Sequence, residues 1–382
     1  MPLVSPVRPT RAVRPPMVPR VLSLLQRRLT WVTVAAYAAA ALLPGAGLAL
    51  RRLQVAAVPL PGGTRTQLTL PSLLLGYLLF TAALRVPAGG LPRLARRPLS
   101  LLVGTAANTL IPLVLLPCLA VVLGRLPDAD GCSGLITGLA LVGAMPVAAG
   151  ATVWGGRAGG NHSLVVGIVL ASTMLSPLTI PLMLSVASTV TRGHYAHDLS
   201  RMAATDGGAF AVISVIVPCV AGLAVQRLTP RPVLERHLPW SGLLGVVAAM
   251  LLTYSNACGA LGGFLFHPRP ALLVAAVVVA GALCAASFAI GWCLARGVRA
   301  DRADTVAITL SCGMNNSSAG AVLAATHLPS SPQVLLPVLA YSLLQKCGAG
   351  LADSMLRRRA RTGAREPDTV QTGEPRSGRS GG

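Results

Sequence analysis

The sequence Ser311-Cys312-Gly313-Met314-Asn315-Asn316-Ser317-Ser318-Ala319-Gly320 interrupts a segment, 304–326, that is otherwise apolar enough to cross a lipid bilayer. This stretch contains two glycines, two adjacent asparagines and three serines. Their polar groups would each cost several kcal/mol if they faced hydrocarbon without hydrogen-bond partners. Interrupted, polar backbone occurs inside membranes where it lines a protein-buried or hydrated cavity. The stretch therefore predicts the unwound centre of a broken membrane helix.

The composition of the whole chain supports a membrane protein. Hydrophobic residues make up 53% and charged residues 11% of the 382 residues, and the mean hydropathy is +0.67. A soluble domain carries about 25% charged residues, so this composition excludes a soluble globular protein. The net charge of +21 does not indicate nucleic-acid binding, because the arginines lie in loops and tails and not on one amphipathic face.

Neither metal chemistry nor enzymatic catalysis is indicated. The eight cysteines include no CxxC pair and no His/Cys ligand spacing, and most lie inside apolar segments as small hydrophobic residues. No Asp, Glu or His lies deep in any predicted membrane segment, so no acid–base or metal catalyst is visible there. We therefore predict a protein that is not an enzyme and holds no cofactor.

Windows of roughly 20 apolar residues predict ten membrane segments. They lie at 30–50, 70–88, 99–123, 134–153, 161–187, 206–226, 240–260, 270–295, 304–326 and 332–354. With the N-terminus in the cytoplasm, most of the arginines outside these segments fall on the cytoplasmic side. The positive-inside rule then places both termini in the cytoplasm, and we expect the bacterial inner membrane.

Three regions follow from this reading. Residues 1–29 form a basic N-terminal tail, residues 30–355 form the transmembrane domain, and residues 356–382 form a basic C-terminal tail. Because the last region consists almost entirely of Arg, Gly, Ser, Thr and Pro, we predict that it is disordered.

The ten segments divide into two sets of five, 30–188 and 206–355. Because five is an odd number, the second set runs through the membrane in the opposite direction to the first. The fourth segment is interrupted by small residues around Pro146, and the ninth by Gly313–Gly320, at comparable places in the two sets. Broken helices at matching places in two inverted repeats are a pointer to a transporter's binding site. The fold prediction is thus an all-α polytopic membrane protein with two inverted five-helix repeats.

Two interrupted helices that meet near the middle of a membrane present helix N-termini to an anion, and free carbonyl and amide oxygens to a small cation. Asn315, Asn316 and, in the third segment, Asn108 carry both donors and acceptors. The alternative is that such asparagines only join helices through hydrogen bonds. Lys346 is the one charged residue deep within a segment, which favours a function, although its long side chain is also able to reach the cytoplasmic headgroups.

At these residues the chain resembles the bile acid:sodium symporter family. The likeness covers roughly 70–355 and is clearest in Leu141–Pro146 continuing to Gly160-Asn161, in Ser172-Thr173-x-x-Ser176-Pro177-Leu178-x-x-Pro181-Leu182, and in Ser311–Asn316. The resemblance implies ten helices, crossed discontinuous fourth and ninth helices, and alternating-access transport of organic anions. It also implies sodium coupling, as in the best-known members.

The chain departs from the family at positions that the resemblance links to sodium. The family's ninth-helix motif reads acidic-x-Gly-x-Gln-Asn, so Ser311 stands for the acid and Asn315 for the Gln, while Asn316 matches. The Ser-Asn pair of the fourth helix falls on Ala151-Thr152, the hydroxyl ligands of the fifth helix on Val165 and Val169, and the Gln of the third helix on Asn108. We therefore expect lost or reduced sodium coupling, with proton coupling or a fixed charge at Lys346 as alternatives. The predicted substrate- or ion-binding residues are Asn108, Pro146, Thr152, Asn161, Ser311, Asn315, Asn316, Ser317 and Lys346.

The leading function is a secondary active transporter of an organic anion. The alternative is a non-transporting membrane receptor or scaffold on a degenerate transporter fold, which the missing sodium ligands permit. The expected partners are a small organic anion and the lipid bilayer, with no nucleic acid. Monomer and homodimer both remain open.

Overall fold

The computed structural model describes residues 22, 25, 29–59, 65–86, 98–125, 131–266 and 270–363. These residues are mostly helical. The helices are α1 Leu29–Leu42, α2 Pro44–Arg52, α3 Leu70–Ala83, α4 Pro98–Leu123, α5 Gly131–Gly143, α6 Gly150–Arg157, α7 His162–Val190, α8 His194–Leu228, α9 Arg231–Phe266, α10 Pro270–Gly297, α11 Arg302–Gly313, α12 Ser317–His327 and α13 Leu335–Gly363. A short 3₁₀ turn, Pro332–Val334, precedes α13.

Six of these helices are long and apolar enough to cross a membrane, and a seventh crossing results if α1 and α2 count as one bent span. The bend between α1 and α2 is 97°. It falls at Leu43, which precedes Pro44 and has an extended φ of −130°. Proline disfavours helical backbone at the residue before it and cannot donate the next helical hydrogen bond, so the first predicted segment is bent.

An antiparallel β-hairpin follows α2, with strands β1 Gln54–Pro59 and β2 Arg65–Thr69. The all-α prediction did not include this hairpin, which lies between the first two predicted segments. The β-branched residues Val55, Val58 and Thr66 in the two strands are typical of β-structure. Thr69 then caps α3 in a capping box with Ser72. With 14 residues, α3 reaches only about 21 Å.

Helix α8 begins well before the predicted segment 206–226 and contains two π-helical turns, Met202–Asp206 and Ala211–Ile216. It packs against α7 near the two prolines of that helix. Helix α13 continues to Gly363, beyond the predicted end of its segment and into the region predicted as a disordered tail. Residues 364–382 and the N-terminal tail, apart from positions 22, 25 and 29, lie outside the described residues.

Burial separates the helices into two groups. Helices α4 and α10 expose large apolar side chains, such as Leu102 (66%), Val114 (65%) and Val278 (61%), as expected for helices that face lipid. By contrast, residues 132–147 and 304–315 are buried throughout. The interrupted helices are therefore the centre of the molecule, and the continuous helices surround them.

Candidate functional site

The two helix breaks lie against each other at the centre of the molecule. The break between α5 and α6 comprises residues 144–149, and the break between α11 and α12 comprises residues 314–316. Val147 and Asn315 form an isolated antiparallel β-bridge. The Ala148 amide donates to the Met314 carbonyl at 2.8 Å, and the Asn316 amide donates to the Pro146 carbonyl at 2.9 Å. We call this arrangement of the two breaks the crossing.

Asn315 is the central side chain of the crossing. It is fully buried, and its Nδ2 donates to the Val142 carbonyl of α5 at 3.2 Å. Its Oδ1 accepts a hydrogen bond of 2.7 Å from Asn108 Nδ2 on α4. Asn108 is itself 2% exposed. One asparagine therefore connects three helices, and both predicted residues lie in the same place.

Asn316 and Ser317 begin α12. Asn316 Oδ1 accepts from the Ala319 amide at 3.2 Å, so this side chain caps the helix. Ser317 Oγ accepts from Gln345 Nε2 of α13 at 3.2 Å, and Tyr341 of the same helix donates its hydroxyl to the Gly313 carbonyl at 3.2 Å. Helix α13 thus supports the second break from the side.

Pro146 determines the first break, because proline has no amide hydrogen and disfavours helical backbone before it. The Val147 amide donates to Ser172 Oγ of α7 at 3.1 Å. Close packing also requires small residues, since a Cβ at Gly320 of α12 would lie 3.0 Å from the Leu141 carbonyl oxygen of α5. Ser172 was part of the sequence motif that carries the family resemblance, but its bond to the break was not predicted.

Helix α6 starts at Gly150, which is exposed, and the backbone groups at its start are the half-helix N-terminus of the first break. Thr152 donates to the Ala149 carbonyl at 2.7 Å, so its hydroxyl stays within the first turn. A Cβ at Gly350 of α13 would contact the Trp154 ring of α6 at 3.7 Å. Lys346 lies one turn before Gly350 on the same face of α13 and is half-buried. It makes no hydrogen bond or salt bridge with any described residue.

Ser311 lies on α11, four residues before Asn315, and is fully buried. Among the described residues, its Oγ has no hydrogen-bond partner, and neither has Thr105 Oγ1, which lies three residues before Asn108 on α4. Both oxygens are neutral. The carboxylate that lies closest along α11 is Asp304, seven residues from Ser311 and so about 10 Å along the helix.

Asn161 lies outside the crossing, at the start of α7. It caps α7 through a 3.2 Å bond from the Leu164 amide, and its Nδ2 donates to Asp304 Oδ1 at 2.8 Å. Ser100 Oγ donates to the other Asp304 oxygen at 3.0 Å. Asp304 is 1% exposed and lies in the first turn of α11, roughly 15 Å from the crossing along that helix. The structure thus separates Asn161 from the other predicted residues.

Several contributors were not predicted. Asp304 stands at the edge of the ninth segment, where a carboxylate looks like an ordinary helix-capping residue. Gln345, next to Lys346, could have been found from the sequence, because it is a polar residue in an apolar segment. Tyr341 gave no signal, because tyrosine is common in membrane helices near their ends.

A helical membrane protein whose two broken helices bond to each other at its centre has the architecture of a membrane transporter. Comparison with known proteins agrees. Residues 72–261 match the model of the sodium bile acid symporter family. The family resemblance predicted from the sequence is confirmed for this stretch, which includes the first break and ends within α9.

Three relatives are similar over larger parts of the chain. The protein YbaS of Bacillus subtilis (strain 168) is 29% identical over 225 residues, which are 58% of this chain and 69% of the relative. The sodium-dependent transporter YocS of the same organism is 27% identical over 71% of this chain and 78% of its own length. The chloroplastic BASS2 of Oryza sativa subsp. japonica, a probable sodium/metabolite cotransporter, is 26% identical over 69% of this chain and 58% of its own.

Proposed function

We propose that this protein is a secondary active transporter that moves an organic anion by alternating access. The observation that carries the proposal is the crossing, in which two helix breaks from different parts of the chain satisfy each other's backbone groups. Breaks of this kind are costly in a membrane unless they are buried in protein or line a cavity, and crossed breaks near the membrane centre are typical of transporter binding sites. The names of two relatives, which describe transporters, support the same class of function.

We propose ten membrane segments in two inverted halves, 30–188 and 206–355. Six long helices and the bent pair α1–α2 supply seven crossings. The short helix α3 and the two interrupted pairs, α5 with α6 and α11 with α12, supply the remaining three. An even number of crossings keeps both termini on one side, and the distribution of arginines favours the cytoplasm of a bacterial cell.

The anion site in this proposal lies beside the crossing, where α6 begins. The start of α6 carries the partial positive charge of a helix N-terminus, and Lys346 adds a full positive charge from α13. An anionic group held there replaces the water that otherwise solvates Lys346. Because Asn315 ties α4, α5 and the second break together, a tilt of one group of helices against the other changes which side of the membrane reaches this place.

Sodium binding is expected to be weak in this chain. The oxygens around the crossing come from Ser311, Thr105, the asparagines and the backbone, and all are neutral. Hard cations are held best by carboxylates or by many oxygens, and both oxygens of Asp304 are already hydrogen-bonded at the far end of α11. We therefore propose that sodium coupling is lost or reduced, in contrast to the function that the names of YocS and BASS2 give.

Counterflow in proteoliposomes tests the transport proposal. The purified protein is first screened by thermal shift against carboxylated and sulfonated anions, and the best binder is then exchanged, labelled against unlabelled, without any ion gradient. Alternating access gives a transient overshoot of label inside the vesicles. Binding without an overshoot would support the receptor alternative and contradict transport.

Lys346→Met and Lys346→Arg are the matched variants for this assay. We expect Lys346→Met to reduce counterflow at least about tenfold while the protein stays as stable or becomes more stable, because an intramembrane charge costs roughly 2.5–3.5 kcal/mol. Lys346→Arg keeps the charge and should retain part of the activity. Full counterflow in Lys346→Met would remove Lys346 from the proposed site.

A further inference from the structure

Arg51, in the last turn of α2, lies against α9 and contacts no residue of the two breaks that the structure shows. A Cβ added at Gly259 of α9 would overlap the Arg51 guanidinium, so the two residues are in direct contact. The Leu335 side chain at the start of α13 lies at the same place, 3.0 Å from that Cβ position. Arg51 is half-buried between these helices, whereas the adjacent Arg52 is exposed.

A second arginine makes the same contact at the other end of α9. A Cβ at Gly242 would overlap the Arg85 guanidinium, about 25 Å along the helix from Gly259. Arg85 Nη2 donates to the Leu238 carbonyl at 3.1 Å, so this guanidinium has an acceptor in the protein. Arg51 makes no hydrogen bond or salt bridge with any part of the chain that the structure describes. The two contacts therefore differ in whether the described residues supply a hydrogen-bond partner for the guanidinium.

Among the described residues, the parts of the elements that lie around Arg51 contain no carboxylate. No Asp or Glu occurs between residues 53 and 97, between 236 and 300, or between 305 and 352. These ranges include the β-hairpin, α3, most of α9 and the first half of α13, which are the elements around Arg51. Buried charges are ordinarily paired, and a half-buried charge without a partner loses part of its hydration.

An apolar surface adjoins the guanidinium. Leu251, Ser255 and Gly259 are spaced four residues apart and therefore form one stripe along α9. A small pocket on this stripe is lined by Leu50, Leu70, Pro71, Leu74, Leu251 and Ser255. A charged end at Arg51 followed by an apolar wall is the arrangement that suits an amphipathic anion.

We propose that Arg51 and the Gly259 face of α9 form a binding site for the head group of an amphipathic anion, separate from the crossing. A guanidinium binds carboxylate, sulfonate or phosphate through two parallel hydrogen bonds. The glycine lets the flat group lie on the helix backbone, with its donors free for the ligand. Two sources present this chemistry, namely a soluble organic anion and the phosphate of an anionic lipid.

Thermal unfolding of the full-length protein in dodecyl maltoside, an uncharged detergent, tests this site. One arm titrates cholate, a carboxylate with an apolar body, and the other titrates dihexanoyl phosphatidylglycerol, with dihexanoyl phosphatidylcholine as the zwitterionic reference. We expect at least one anion to raise the unfolding temperature of the unmodified protein. A response to cholate alone identifies a soluble anion as the ligand, and a response to the glycerol lipid alone identifies a lipid head group.

Arg51→Gln should weaken the apparent affinity about tenfold, as loss of a charge-assisted pair implies. Gly259→Ala should have a similar effect, because the new methyl group displaces the guanidinium without removing its charge. Arg52→Gln removes the same charge from the exposed neighbour and should leave the affinity within about twofold.

The proposal is overturned if the unmodified protein responds to neither anion. It is also overturned if Arg51→Gln retains its affinity, or if Arg52→Gln loses as much. Because binding and not transport is measured, this inference and the transport proposal fail separately. Loss of cholate binding in Lys346→Met with normal binding in Arg51→Gln would refute the Arg51 site and leave the transport proposal intact.

Discussion

The two breaks at the crossing are built from different kinds of residue. The first break, residues 144–149, has Pro146 at its centre and otherwise only Ala, Met and Val, so it offers no polar side chain. The second break, residues 314–316, has two adjacent asparagines. Proline interrupts a helix by removing a donor, whereas asparagine does so by competing for the backbone groups with its own amide.

This difference decides how the polar groups are satisfied. The Pro146 carbonyl of the first break accepts from the Asn316 amide, and the Val142 carbonyl in the last turn of α5 accepts from Asn315 Nδ2. One bond runs the other way, from the Ala148 amide to the Met314 carbonyl. Towards the second break, the first break and the last turn of α5 therefore accept two hydrogen bonds and donate one, and the polar side chains of the two breaks all belong to the second.

This comparison implies that the first break depends more on the second than the second depends on the first. A change in the second break removes partners from both breaks, whereas a change near the first break disturbs that break alone. Two proposed inverted halves do not need the same residues at matching places. They need complementary ones, because each unwound backbone must find its hydrogen bonds in the other.

Asn315→Ala is the change with the largest expected effect. It leaves the Asn108 amide without its partner in a buried place and removes one donor to Val142, so the free energy of unfolding should fall by about 2–4 kcal/mol. Transport should be lost. Hydrogen–deuterium exchange measured by mass spectrometry should rise in peptides that cover both breaks.

Asn256→Ala is the control for that change, because Asn256 is equally buried on α9 and its Oδ1 has no partner among the described residues. We expect the free energy of unfolding to fall by less than about 1 kcal/mol and hydrogen–deuterium exchange at the crossing to stay unchanged. Equal effects of the two substitutions would show that Asn315 is an ordinary buried asparagine.

Both breaks were predictable from the sequence because their signals are local. Pro146 and the Gly313–Asn316 stretch conflict with the apolar helices around them, and that conflict is visible without any structure. The contact between Asn108 and Asn315 was predicted as a shared site, and the structure joins them across 207 residues of chain.

Contacts that depend on packing were not predictable in the same way. Asn161 was placed with the crossing because it belongs to a motif near the fourth segment, but it bonds to Asp304 instead. No local pattern indicates that partner, since Asp304 looks like a first-turn acidic residue of an ordinary helix. The hairpin after α2 was missed for a different reason: a search for long apolar windows passes over short strands.

Ser311→Asp sharpens the comparison at the second break. It restores an acidic residue at the position where the family motif begins, in a fully buried place whose serine oxygen has no partner. A buried carboxylate is stabilised most by a nearby cation. The free energy of unfolding of this variant should therefore be about 1–3 kcal/mol higher in sodium chloride than in N-methylglucamine chloride. For the unmodified protein, the free energy of unfolding should differ by less than about 0.5 kcal/mol between the two salts.

Ser311→Asn is similar in size to the aspartate variant and carries no charge. It should show no sodium dependence beyond that of the unmodified protein. A steep sodium dependence of the unmodified protein itself would refute the proposal that coupling is reduced, and it would mean that neutral oxygens at the second break hold the ion.

Ser172→Ala is expected to have the smallest effect of the three, because it acts on the first break only. The Val147 amide loses its acceptor while staying buried, which should lower the free energy of unfolding by about 1–2 kcal/mol. Exchange should rise in the peptide that covers 144–149 and stay unchanged in the peptide that covers 311–318. Ser176→Ala is the matched control, since Ser176 is buried one turn further along α7 and donates only to the Thr173 carbonyl of its own helix. If Ser172→Ala raised exchange at both breaks to the level seen with Asn315→Ala, the dependence between the breaks would be mutual and the asymmetry inferred from their hydrogen bonds would be wrong.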